Sequence, residues 1–247
     1  MRVRSEVGSG ETVVFVHGAG VAGWMWKKQV EALLDWRRVV IDLADHGADR
    51  TTPFTTLEAE ADAIVAHIRA TTGPAHLVGH SLGAKIVLEI LARSPEVARS
   101  AVVSSALVRP SLLANMMNSH VLNTMSVWML KAPWLARLQA QQFSFPDPEM
   151  TESFVADVGA MTAENLDRPV AAFCGKLSPP VGLEGVRCPV LLTVGEKEPD
   201  AIQESVQDLR KLMPHAETWT IPGALHNYPW THADAYNSRL NQWFRPA

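Results

Sequence analysis

Gly79-His80-Ser81-Leu82-Gly83 lies between an apolar run, Ala75-His76-Leu77-Val78, and a helix-like run over 84–91. A G-x-S-x-G in that setting puts its serine on a sharp strand-to-helix turn, with the hydroxyl raised above the sheet edge at a helix N-terminus. Gly79 and Gly83 remove the Cβ atoms that would collide where strand and helix cross. Three further pieces each follow a strand-like run. His17-Gly18-Ala19-Gly20 ends the run over 12–16, Glu198 and Asp200 come after the run over 189–194, and His226 sits in the loop that follows 218–221. The order is serine, acid, histidine. A serine hydroxyl attacks a carbonyl only when a base takes its proton, and an imidazole oriented by a carboxylate is the usual base. The backbone N–H groups of Ala19 and Leu82 are the candidate donors to the oxyanion formed in such an attack.

These groups need elements that carry them. Strand-like runs near 2–7, 12–16, 37–42, 75–78, 101–103 and 189–194 alternate with helical patterns near 27–35, 57–70 and 84–91, which predicts an α/β fold with a mostly parallel sheet and helices on both faces. From Leu107 to Pro180 no strand-like run occurs. That interval is rich in Met, Trp and Leu, with breaks at Lys131-Ala132-Pro133 and Phe145-Pro146-Asp147-Pro148, and is expected to form several helices. A core of 1–106 and 181–247 interrupted by a helical segment, 107–180, follows. Apolar residues at helical spacing are usually core, so Met116, Met117, Met125, Trp128, Met129 and Trp134 are expected mainly to pack between these helices and the sheet domain, with the remainder lining a pocket.

With the elbow, the HGxG element, the acid loop and the histidine loop in this order, the chain resembles the α/β-hydrolase superfamily over all but its middle segment. The turn Asp42-Leu43-Ala44-Asp45-His46-Gly47 adds to the likeness, although Ala44-Asp45 replaces the usual Pro-Gly. The resemblance implies that 107–180 is a helical cap over the active site. It places the acid, an aspartate in a Gly-Glu-x-Asp-Pro element, at Glu198 of Gly195-Glu196-Lys197-Glu198-Pro199. Asp200 is the alternative, with helix N-capping as its simpler role. The end of the strand before the helical segment, a third place for an acid, holds Ser104 and Ser105.

His226 is favoured over His232, His215 and His120 because it alone follows the last strand in a Gly-x-x-His loop, while His17, His80 and His46 read as structural. The implied activity is cleavage of a carboxylic ester or lactone with a largely apolar body through an acyl-enzyme on Ser81. Hydroxynitrile lyases and carbon–carbon bond hydrolases of this fold use the same set, the lyases with a cationic residue near the serine, for which Lys131, Arg137 and Lys176 are the sources. A ligand receptor with little turnover is a further alternative.

A formal charge of −4 over 247 residues, without a basic run, argues against nucleic acid and anionic membrane as partners. No uninterrupted apolar stretch reaches about 18 residues, and the N-terminus lacks a signal-peptide core, so a soluble, cytoplasmic protein is expected. The nine histidines and two cysteines form no metal-ligand spacing, and no G-x-G-x-x-G occurs; neither metal nor cofactor is expected. Cys174 and Cys188 are expected to stay unpaired. Oligomeric state is left open by the sequence.

Overall fold

A seven-stranded sheet in the order β1-β3-β2-β4-β5-β6-β7 forms the centre of the molecule. The computed structural model describes residues 1–111, 114 and 118–245. The strands are β1 (Arg2–Val7), β2 (Thr12–Val16), β3 (Arg37–Asp42), β4 (Ala75–His80), β5 (Ala98–Ser104), β6 (Val190–Gly195) and β7 (Glu217–Ile221). Only β1 runs antiparallel, as an edge strand on β3. Buried on both faces, the central strands are continuous apolar runs, as parallel sheets require.

Side-chain alternation sorts the two layers. Val14 and Val16 of β2 face the cluster built with α2 (Leu57–Thr71), α3 (Leu82–Arg93) and, further along the sheet, α8 (Asp200–Leu212). Val13 and Phe15 point the other way, towards Trp26, just before α1 (Lys27–Ala32), and α10 (Ala233–Phe244), which follows the short α9 (Tyr228–Thr231). The helix expected over 27–35 is shorter; a 3₁₀ turn at Gly23–Trp26 precedes it, and the chain leaves it after Ala32 to enter β3. Asp200 is the first residue of α8 rather than its N-cap; Pro199 stands at the cap without a side-chain hydrogen bond.

Between β5 and β6 the described residues form four helices: α4 (His120–Leu130), α5 (Pro133–Phe143), α6 (Pro148–Ala160) and α7 (Ala163–Cys174). Pro133 and Pro148 open their helices, where a missing N–H costs nothing. Asp147 caps α6, and Thr162 with Asn165 forms a reciprocal capping box on α7.

The expected packing of the apolar residues here is corrected. Met125, Trp128, Met129 and Trp134 are 51, 74, 43 and 67 % exposed. Met116 and Met117 lie outside the described residues. The reason is an inverted helix: α4 turns Asn123, Ser126, Val127 and Leu130 inward over a cavity, which leaves Val121, Met125 and Trp128 outside. Cys174 and Cys188 are free and half-buried.

The unusual Ala44-Asp45 turn has a structural reason. Asp45 adopts φ 64°, where glycine is otherwise favoured, and its buried carboxylate accepts from Phe54 N (2.8 Å), Asn165 Nδ2 (2.8 Å) and Arg168 Nε (2.7 Å). Asn165 and Arg168 belong to α7, so this departure ties the helical segment to the sheet domain. Arg168→Met should lower unfolding free energy by about 1–2 kcal/mol, below the cost for a fully buried pair because the arginine side chain is 39 % exposed. Denaturant titration measures it, and a stability equal to wild type would show that the tie contributes nothing.

The turns after β2 and β3 are held by two neutral histidines. His17 accepts from Leu43 N at 3.0 Å, and its Nδ1 meets Gly18 O at 2.7 Å; His46 accepts from Gly20 N at 3.3 Å, with Nδ1 at 2.8 Å from Ala44 O. Burial, then the neighbouring His46, lowers the His17 pKa to about 3, and burial lowers that of His46. The unfolded chain therefore takes up protons below its histidine pKa of about 6.5 while the folded chain does not. Stability is full above that value and falls as pH drops through the window, by up to about 1.4 kcal/mol per pH unit for each such histidine. Unfolding titrations at successive pH values should show this acid-side slope, shallower in His46→Gln; a flat profile from pH 7 to 5 would contradict it.

Candidate active site

Ser81 has φ 54° and ψ −111°, a strained conformation held from three sides. Its N–H donates to Ser104 O at 2.8 Å on β5. A Cβ on Gly79 would lie 2.3 Å from Gly83 O, and one on Gly83 would lie 2.1 Å from Val16 O. Only glycine permits this crossing of β4, α3 and β2. The crossing leaves the serine at the N-terminus of α3, whose first residue, Leu82, carries an N–H without an intrahelical partner.

Ser81, Ala19 and His226 line one cavity of about 310 Å³. Its floor is the sheet edge and its outer wall is apolar, with Val127, Leu130, Phe154 and Val158 from α4 and α6. His80 also reaches it, its ring 4.6 Å from that of His226; burial first, and His226 second, push its pKa well below the ordinary value. No lysine or arginine among the described residues lines the cavity. Lys131 is spent on Gly159 O (2.8 Å) and Met161 O (2.6 Å), Arg137 on Glu152 (3.0 Å) and Lys176 on Glu58.

Of the two acids left open by the sequence, Glu198 meets the histidine. Its Oε1 lies 2.5 Å from His226 Nδ1, while Asp200 points to solvent at the start of α8. The Glu198 side chain is fully buried, and its other oxygen accepts from Gly195 N and from Ser105 Oγ, each at 2.7 Å. A buried carboxylate persists only when its lone pairs are so occupied. No hydrogen bond joins Ser81 to His226 among the described residues; such contacts commonly tighten with substrate in place.

Close contact between two loops brings acid and histidine together. Gly195 lacks a Cβ that would fall 2.5 Å from Ala224 O, and Lys197 N donates to that same carbonyl at 2.9 Å. Glu196 N donates to Ile221 O at 3.0 Å, and its carboxylate accepts from Gly223 N at 2.6 Å. Beneath Glu198 runs a polar ladder that sequence reasoning missed. Ser105 Oγ lies 3.1 Å from Tyr228 OH, which is 2.8 Å from Thr193 Oγ1; that hydroxyl donates to Ser104 Oγ at 2.8 Å, and Ser104 meets Tyr236 OH at 2.7 Å. The signal was the pair Ser104-Ser105 at a strand end, read only as the absence of an acid. Ser105, at φ 55°, turns its hydroxyl into the acid loop.

Comparison with known proteins agrees with this fold. Over 93 % of its length the chain is 26 % identical to a protein carrying the name carbamate hydrolase RutD from Caulobacter sp. (strain K31), covering 89 % of that protein. A stretch of 89 residues, 36 % of this chain and 34 % of the relative, is 40 % identical to pimeloyl-[acyl-carrier protein] methyl ester esterase of Methylococcus capsulatus. A thermophilic esterase from Thermogutta terrifontis superposes with a TM-score of 0.76 at 21 % identity, over 98 % of this chain and 92 % of that one. The profile of the alpha/beta hydrolase family matches residues 13–239, which span most of the seven-stranded sheet: this chain belongs to the alpha/beta hydrolase family.

Proposed function

We propose that the protein is a serine hydrolase of carboxylic esters or lactones with a largely apolar body, with Ser81 as nucleophile, His226 as general base and acid, and Glu198 as the acid that orients it. The observation that carries this reading is His226 itself, which lines the cavity of Ser81 on one side and holds a fully buried carboxylate on the other. The helical segment 107–180 is the cap of this site, supplying the apolar wall.

As Ser81 Oγ attacks the ester carbonyl, His226 Nε2 takes its proton, and Glu198 stabilises the resulting imidazolium through Nδ1–H. The carbonyl oxygen becomes an oxyanion within reach of the Ala19 and Leu82 N–H groups; one such donor is worth roughly 3–4 kcal/mol in other hydrolases. The imidazolium then returns the proton to the leaving alkoxide. Water attacks the acyl-enzyme by the same route, freeing the acid and Ser81. The absence of a cation along the described cavity wall favours this over the lyase reading. The methyl ester named for the Methylococcus relative is consistent with the same chemistry.

A fluorophosphonate probe should add once to the wild-type chain and not to Ser81→Ala, as read by intact mass; labelling of both would remove Ser81 from the role. No adduct on the folded wild type, with ligands still raising its melting temperature, would favour a receptor. Glu198→Gln should lower kcat about a hundredfold or more, and Asp200→Asn less than about twofold. Ser105→Ala should lower kcat about tenfold with KM little changed, since it loosens the acid and touches no substrate. A larger loss in Asp200→Asn than in Glu198→Gln would reassign the acid to Asp200.

A further inference from the structure

Three residues that wall the Ser81 cavity also wall a second space. Ser126 and Leu130 of α4 and Gln139 of α5 line the cavity on one side and, on the other, line an apolar groove of about 230 Å³ between the same two helices. Met129, Leu135, Leu138 and Gln142 complete that groove, and Met129 and Leu138 are 43 and 49 % exposed. Gln139 is one of the shared residues, and its carboxamide oxygen is buried without a hydrogen-bond partner among the described residues, so it does not latch α5 to α4. Apolar side chains so exposed at the rim of a catalytic cavity are poorly explained by packing. They are well explained by a chain that leaves the cavity and lies between the helices.

We propose that the α4–α5 groove is the outer half of the substrate channel and receives the distal part of a long, unbranched apolar chain whose ester carbonyl sits at Ser81. The assignment rests on the hydrolase reading above and narrows it to long-chain esters. Adjacency commits the groove to this occupant, because only three shared residues stand between it and the Ser81 cavity and none of the charged side chains of α4–α7 lines either space. A chain filling the inner cavity continues past Leu130 and Gln139, where Met129 and Leu138 remove its end from water.

The test is a chain-length series of p-nitrophenyl esters from acetate through butanoate and octanoate to dodecanoate, on wild type, Met129→Asp, Leu138→Asp and the uncharged Leu138→Gln. The half-exposed positions accept polar side chains, and the acetate rate reports folded enzyme. The ratio of dodecanoate to acetate kcat/KM should fall about tenfold in both Asp variants and less in Leu138→Gln. In parallel, methyl dodecanoate is titrated into Ser81→Ala with and without Leu138→Asp, followed by tryptophan fluorescence. Turnover of acetate with superimposable chain-length profiles would overturn the groove while leaving the hydrolase intact. If no ester turns over but Leu138→Asp weakens dodecanoate binding about tenfold, the groove stands and the hydrolase reading falls. Binding unaffected by Leu138→Asp, with the wild type dimerising in sedimentation and the variant not, would overturn the groove in favour of an interface between copies.

Discussion

The approach of α3 to β2 leaves 2.1 Å between Val16 O and a Cβ at Gly83, and the rest of the site depends on that crossing. Because the helix begins this close to the sheet, Ser81 must turn through positive φ, and its N–H is drawn to Ser104 O on the next strand. The crossing also holds the end of β2, from which the chain continues into His17-Gly18-Ala19-Gly20. Two neutral histidines then hold the loop, each with one nitrogen accepting from a backbone N–H. Ala19 thus lines the cavity from a loop whose backbone these contacts fix, and groups that need no reorganisation are the ones that stabilise developing charge best.

The second demand on the fold is a buried carboxylate. Removing Glu198 from water costs several kcal/mol unless its oxygens are occupied, and here Gly195 N, Ser105 Oγ and His226 occupy them. Each donor comes from a different strand end: β6 supplies Gly195, β5 leads into Ser105, and β7 leads to His226. The strand register explains how they meet. His80, Ser104 and Thr193 stand side by side across β4, β5 and β6, so the residues just beyond them, Ser81 and Ser105, emerge at one level. The sheet edge is the ruler for the site.

This division explains what the sequence made legible. The elbow, the HGxG turn and the loop of His226 could be read because each rests on local backbone geometry that specific residues permit. Glu198 and Asp200 could not be separated from spacing alone, since the choice depends on which side chain a turn at Gly195 directs under Ser105. Ser105, Thr193 and Tyr228 were illegible for the same reason, as contacts of residues far apart in sequence. The α4 segment misled through its composition: a helix with apolar residues on every side gives little phase, and of its polar residues Asn123 and Ser126 line the cavity while His120 and Thr124 lie outside with Met125 and Trp128. Ala44-Asp45 was visible as a departure, but its partners lie on α7, more than a hundred residues away.

The four helices obey a different logic from the sheet. They join the sheet domain through a few directed contacts: Asp45 with Asn165 and Arg168, Trp24 Nε1 donating to Asp157 at 2.6 Å, Lys85 donating to Phe173 O at 3.1 Å, and Asn227 and Trp230 donating to Phe143 O at 2.9 and 2.8 Å. Directed contacts fix position at points, and between them Ala136, Ala140, Met150, Phe154 and Val158 pack into one buried cluster with Trp24 and Trp230. Asn123, Ser126 and Leu130 can change without touching the donors of Glu198 or the turn of Ser81, because no strand end of the sheet holds them. On the proposed function, reaction and selectivity are carried by separate parts of the chain, with the cavity as their shared boundary.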